Sequence, residues 1–280
     1  MRIVSLLPST TEILFALGAG PSVVGVTFEC DAPAEARTRT VVSTSAMPAG
    51  LDPAEIDAYV AGALKRGEDL YRLSADALRD LDPTLVVTQD LCAVCAVDVT
   101  TVEDALAHLG CSAQVVTVDP HSLEQVLDTV LVLGRAVGRE DAATALVGSL
   151  RQRMAAVWRS TMGRSRPRVA VLEWTDPPYA PGHWIPEMVE LAGGENVLGT
   201  AGEKSVRVTW DDVVASRPDL VIVAPCGFDR AGAQRQADAM AHLLPPGVRL
   251  HAVDADGMWA RPGPRLVDGV EELASVLRGG

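Results

Sequence analysis

Lysine is almost missing from this 280-residue chain: Lys65 and Lys204 are the only two, and arginine carries the remaining positive charge. At a net charge of −13 the chain has no cation surplus for a phosphate backbone, which excludes generic nucleic-acid binding. Long apolar runs are missing as well. No stretch reaches the ~20 consecutive apolar residues of a membrane span, so membrane insertion is excluded. The common enzyme templates are absent: there is no P-loop, no G-x-G-x-x-G after a strand, no G-x-S-x-G and no H-E-x-x-H. The five cysteines (Cys30, Cys92, Cys95, Cys111 and Cys226) are an odd number, which fits reduced thiols better than a disulfide framework.

What is present is an ordinary globular mixture, 48% hydrophobic and 22% charged, which rules out a disordered chain. The opening "MRIVSLLPSTTEILFALGAG" sets a charge before an apolar segment, but Pro8, Glu12 and the run "STTE" interrupt it. It reads as a first strand and a helix capped by Ser9 or Thr10, not as a leader, and so as a cytoplasmic chain. Strand-like runs ("SVVGVT", "PTLVVTQ", "QVVTVD") then alternate with short amphipathic helices, the pattern of an α/β fold with parallel sheets covered on both faces. Between about Ser122 and Ser160 the spacing turns helical, interrupted around Gly138. Its second segment is long enough for a helix of about 20 residues, roughly 30 Å. Alternation resumes at "RVAVLEW".

An internal repeat crosses that helical stretch. "LSADALRDLDPTLVVTQDLC" and "VTWDDVVASRPDLVIVAPC" each run through a Ser or Thr cap, an acidic first turn, a short helix, a proline, an apolar strand and a cysteine. The spacing predicts two related α/β lobes, 1–121 and 166–280, joined by one long helical backbone over 122–165. Ligands of open α/β sheets bind beyond the carboxyl ends of the strands. In two facing lobes those ends would carry "FECD", "QDLCAVC", "LEWTDPPYAPGHW", "APCGFD" and "GMWARPGPR" around one cleft. Trp174, His183, Trp184 and Phe228 are thereby candidate ligand contacts. Trp158, on the linking helix, is expected to be core.

The chain resembles the cobalamin- and siderophore-type substrate-binding proteins of ABC importers. The resemblance rests on "RIVSLLPSTTEILFALGAGPSVVGVTFECDAPAEA", "LDPTLVVTQ", "PPYAPGHWIPEMVELAGGENVL" and "RPGPRLVDGVEELASVL", in that order along nearly the whole chain. It implies a non-catalytic binding protein for a cobalamin-like corrinoid or related metal chelate. It further implies Phe28, Tyr179 and Trp259 as aromatic contacts, with Arg261 beside Trp259. Aromatic faces suit a flat macrocycle, because a good stack adds about 0.5–1.5 kcal/mol beyond burial. Relatives present an acidic residue on each lobe to a permease; Asp76 and Asp211, matched in the repeat, are the corresponding candidates here. The expected cytoplasmic location argues against an ABC permease as partner.

The cysteines leave three readings open, one of them a thiolate that touches the metal of a bound corrinoid or chelate. Cys30, Cys92, Cys95 and Cys226 each follow a strand, and four thiolates suit a tetrahedral metal ion or an iron–sulfur cluster. On that reading the chain is a metal- or cluster-dependent enzyme, with Glu173, Asp176 and His183 as acid–base groups. Buried, inert cysteine is the remaining reading.

Overall fold

A computed structural model of the chain describes residues 1–89, 99–108 and 112–279, and these form two units. The first comprises Met1–Pro120 with Leu127–Val147; the second comprises His121–Val126 with Gly148–Gly280.

In the first unit the elements are β1 (Ile3–Ser5), α1 (Pro8–Ala16), β2 (Val23–Thr27), β3 (Thr40–Ser45), α2 (Pro53–Arg66), β4 (Tyr71–Leu73), α3 (Ala75–Leu81), β5 (Leu85–Thr88), α4 (Val99–His108) and β6 (Gln114–Thr117). The sheet order is β4-β3-β2-β1-β5-β6. Only the edge pair β3–β4 is antiparallel. Val4, Leu6, Val42, Leu78, Val86, Val102 and Leu106 form one packed core against it. Burial on both faces is why β5 runs Leu-Val-Val before its terminal Thr88 and shows no alternation. The first helix starts earlier than its sequence suggests. Pro8 stands at its first turn, where a fixed φ suits helix entry and no N–H is missed. Ser9 and Thr10 therefore lie inside the helix, and Thr10 bonds back to the Leu7 carbonyl.

The helical stretch breaks around Gly138, as its spacing suggests, into α5 (Leu123–Ala136) and α6 (Glu140–Thr161). Gly138, at φ 64°, takes the left-handed conformation that ends α5. A Cβ at Gly134 would collide with Ala143, so the glycine sets how closely the two helices pack. Both helices are divided between the units, in contrast to the separate backbone segment expected over 122–165.

The second unit continues with β7 (Arg168–Leu172), β8 (Trp174–Thr175), β9 (Pro178–Ala180), α7 (Ile185–Leu191), β10 (Glu195–Asn196), β11 (Val206–Arg207), α8 (Trp210–Ala215), β12 (Leu220–Val223), α9 (Arg230–Met240), β13 (Arg249–Ala252), α10 (Ala255–Met258) and α11 (Leu266–Leu277). Its main sheet is parallel, in the order β10-β7-β12-β13. A small antiparallel sheet, β11-β9-β8, follows β7. Leu172, Val213, Val221, Val223, Ala237 and Met240 belong to its packed core.

The internal repeat is physical. Ser74 caps α3 by accepting the Ala77 N–H, and Thr209 caps α8 by accepting that of Asp212. Just past each helix a non-glycine residue before a proline takes a positive φ, Asp82 at 42° and Arg217 at 48°. Each then leads into a fully buried strand.

Candidate functional site

Strand order reverses direction beside β1 in the first unit and beside β7 in the second, so the loops leaving β1, β5, β7 and β12 are where each sheet can hold a ligand.

In the second unit these loops are tied to one another. The Ala224 N–H donates to Leu172 O at 2.9 Å and the Cys226 N–H to Glu173 O at 3.1 Å, so the β12 loop lies along the β7 loop. Trp174 and Tyr179 face each other across the β8–β9 hairpin. The rings of Trp174 and Phe228 stand 5.7 Å apart at a 60° tilt, and both are half-buried. Phe228 is positioned from behind: its carbonyl accepts the Asp256 N–H at 3.0 Å, and the Asp256 carboxylate takes two bonds from Arg261, at 3.1 and 2.6 Å. Arg261 is itself buried, so its guanidinium braces this loop rather than reaching outward. Glu173 accepts the Ser205 hydroxyl. A Cβ at Gly182 would strike the backbone of residues 203–205, and that close approach delivers Ser205 to Glu173.

Two of the expected contacts belong to the interior instead. Trp259 is 0% exposed and Trp184 is 5% exposed, with Trp184 Nε1 donating to Trp259 O at 2.8 Å. Their flanking glycines and prolines are turn residues around a packed pair, which is why composition alone misplaced them. His183, at φ 50°, has its ring near those of His121 and Trp184, at centroid distances of 5.5 and 5.6 Å and tilts of 40° and 38°. Trp158 errs the other way: expected as core, it is 48% exposed on α6.

In the first unit, Phe28 follows β2 and is 42% exposed, with the ring of Tyr71 at 6.0 Å. Tyr71 pairs with Ser45 at the carboxyl end of β3, and its hydroxyl donates to the Glu29 carboxylate at 3.1 Å. Sequence reasoning missed Tyr71. The signal was present, because an antiparallel edge strand starts at the end where its parallel neighbour stops.

Of the four candidate thiolates, two lie among the described residues, Cys30 and Cys226. Cys92 and Cys95, like Cys111, lie outside them. Cys30 is buried with its Sγ 3.1 Å from Thr11 Oγ1, a packed thiol and not one displayed to a ligand, while Cys226 is exposed. Among the described residues no group of three or more His, Cys, Asp or Glu is placed to hold a metal ion, and no helix is long and apolar enough to cross a membrane.

Comparison with known proteins bears on the same features. The family model described as "Periplasmic binding protein" matches residues 3–242. An uncharacterized ABC transporter substrate-binding lipoprotein, YvrC of Bacillus subtilis, is 26% identical over 99% of this chain and 79% of its own length. The vitamin B12-binding protein of Vibrio cholerae is 22% identical over 99% of this chain and 89% of its own. Among solved structures, the periplasmic heme-binding protein RhuT from Roseiflexus sp. superposes with a TM-score of 0.70 at 23% identity, covering 98% of this chain and 96% of that one.

These findings overturn the cytoplasmic location. The matched proteins are periplasmic or lipoproteins, which points to work outside the cytoplasm. Reading the opening residues as fold elements was sound, since Ile3, Val4, Ile13 and Leu14 are core. A strand and helix at that position carry no information about compartment. The comparisons describe binding proteins of importers, and the enzyme alternative finds no support in them.

Proposed function

We propose that this chain, which belongs to the Periplasmic binding protein family, is an importer's binding protein for a flat metal-chelating macrocycle, a cobalamin-like corrinoid first among them. One observation carries the reading: the Trp174–Phe228 pair at the carboxyl ends of β7 and β12, braced from behind by Asp256 and Arg261. Such rings offer a large, rigid, apolar surface at little entropic cost. The buried guanidinium holds one of them in place without presenting a charge to the ligand. The named ligands of the relatives, vitamin B12 and heme, belong to this chemical class. An ABC permease is the expected partner, with Asp76 and Asp211, exposed in the first turns of α3 and α8, as docking carboxylates.

Titration with cyanocobalamin and, separately, with hemin tests the ligand class by absorption and calorimetry. Saturable binding of cyanocobalamin that weakens in Trp174→Ala supports the corrinoid reading. Binding of hemin alone replaces corrinoid with porphyrin. No heat and no spectral change with either overturns the proposal.

A further inference from the structure

From Ala142 through Leu172 the chain has no aspartate or glutamate but six arginines, at 151, 153, 159, 164, 166 and 168, in a protein whose net charge is −13. Four of the six are neutralised: Arg151 by Glu124, Arg153 by Asp268 and Glu271, Arg166 by Glu190 and Arg168 by Glu195. Arg159 and Arg164 have no carboxylate partner among the described residues, and Arg278, just past α11, makes only a long bond to Ser160 Oγ at 3.4 Å. All three surround the carboxyl end of α6. A recess of about 340 Å³ opens there, walled by Thr161, Arg164, Ser165, Gly193, Leu277 and Arg278, with no acidic side chain in its lining.

The same helix end exposes two large apolar side chains one turn apart, Trp158 at 48% and Met162 at 63%. Of the acidic groups sharing a neighbouring cavity wall with Trp158, Glu190 is held by Arg166 and Glu187 accepts the Leu123 N–H. Cations at a helix carboxyl end complement its dipole, which accounts for Arg159 and Arg278. That explanation does not reach Arg164, which lies beyond the helix, or the exposed indole and thioether. A tryptophan and a methionine ringed by unpaired arginines match the chemistry of a lipid interface, where the indole sits at headgroup depth and guanidinium groups meet phosphate.

We propose that the carboxyl end of α6 is a peripheral contact for an anionic lipid surface. A headgroup phosphate sits in the recess between Arg164 and Arg278, and Trp158 and Met162 enter the interfacial layer. The patch is local: the protein's net charge of −13 would by itself repel such a surface.

The test is sedimentation of the intact protein with phosphatidylglycerol-rich vesicles and with pure phosphatidylcholine vesicles, at low and high salt, with a parallel titration of inorganic phosphate. The expected result is binding to the anionic vesicles only, weakened by salt. Each arginine near such a surface contributes about fivefold, so combining Arg159→Gln, Arg164→Gln and Arg278→Gln should lower partition by about a hundredfold. Arg151→Gln, at a neutralised position, should leave it unchanged, and Trp158→Ser should weaken binding with the arginines intact. Equal binding to both vesicle types, or no loss in the triple variant, overturns the proposal. So does binding of inorganic phosphate without binding of vesicles, which would make the recess a site for a soluble anion.

Discussion

Both units are parallel sheets read at the same end, yet they finish their strands differently. In the first unit every parallel strand ends in a hydroxyl: Ser5, Thr27, Ser45, Thr88 and Thr117. In the second, β7, β12 and β13 end in Leu172, Val223 and Ala252. Two of these hydroxyls, those of Ser5 and Thr27, are met by neighbouring hydroxyls. Ser5 Oγ lies 2.7 Å from Thr10 Oγ1 and accepts from Thr11 at 2.9 Å, and Ser43 donates to Thr27 at 2.8 Å. Those groups are buried and lock the start of α1 onto the end of β1. The second unit keeps the ends of β7, β12 and β13 apolar and puts polar and aromatic groups in the following loops, where Glu173, Trp174, Phe228 and the Asp256–Arg261 pair stand. The lesson is that one topology can make its carboxyl edge either a self-satisfied polar seam or a presented surface. Among the described residues, the second unit presents the braced Trp174–Phe228 pair and the first the Phe28 ring.

That contrast is open to attack first through the aromatic residues. Trp259 is a core side chain, so Trp259→Ala should cost about 3–5 kcal/mol in calorimetric or denaturant unfolding. Phe28→Ala, at an exposed ring, should cost under about 1 kcal/mol. A mild Trp259→Ala would mean that its ring is not needed for packing, and the division into core and presented aromatics would fail. Next in size is the presented pair. If the second unit dominates recognition, Trp174→Ala should weaken cyanocobalamin binding by about 2 kcal/mol, roughly thirtyfold, in keeping with a tryptophan anchor. Phe28→Ala should weaken it only a few-fold. Equal losses would show that both units recognise ligand alike.

The polar seam has its own test of similar size. Thr11→Val keeps the shape but removes the hydroxyl that donates to Ser5 and meets Cys30, leaving buried partners short of a bond. It should destabilise the protein by about 1–3 kcal/mol without altering ligand affinity. A change in affinity with stability intact would reassign the seam to the ligand.

Much of this frame was legible in the residues because it rests on local rules. The repeat announces its caps at Ser74 and Thr209, its helix stops before Pro83 and Pro218, and its buried strands as unbroken apolar runs. The edges of the site were less legible. "GMWARPGPR" looks like a loop because glycine and proline surround the tryptophan. Yet Trp259 follows the short α10 and packs in the interior, while a Cβ at Gly269 of α11 would strike Met258 O. Trp158 sits in a helical apolar pattern but points outward, and an amphipathic spacing cannot say which of its members the neighbouring elements cover. Cys30 departs from the thiolate reading for a related reason. Following a strand fixes where a cysteine lies along the chain but not whether its sulfur is packed, and Cys30 is packed against Thr11.

The smallest expected effect lies away from both edges and asks whether the second unit's charges also stabilise it. Glu272 on α11 accepts from His251 of β13 at 3.2 Å and from Arg230 of α9 at 2.7 Å, joining three elements of that unit. Burial opposes its ionisation, but the bonds from His251 and Arg230 outweigh that and hold its carboxyl below the ordinary glutamate range. A carboxyl whose folded-state pKa is depressed contributes stability above its unfolded value, near 4.5 here, and loses it as pH falls through the folded one. Glu272→Gln should therefore lower stability near neutral pH by under about 1 kcal/mol, the scale of a partly exposed ion pair. The gap between variant and parent should close as pH drops below the ordinary glutamate value, because protonation then removes the same charge from the parent. Thermal melts of both proteins across that range check it. A gap that persists in acid would assign Glu272 a packing role and leave the second unit's charges, like the first unit's hydroxyls, as fittings of the fold.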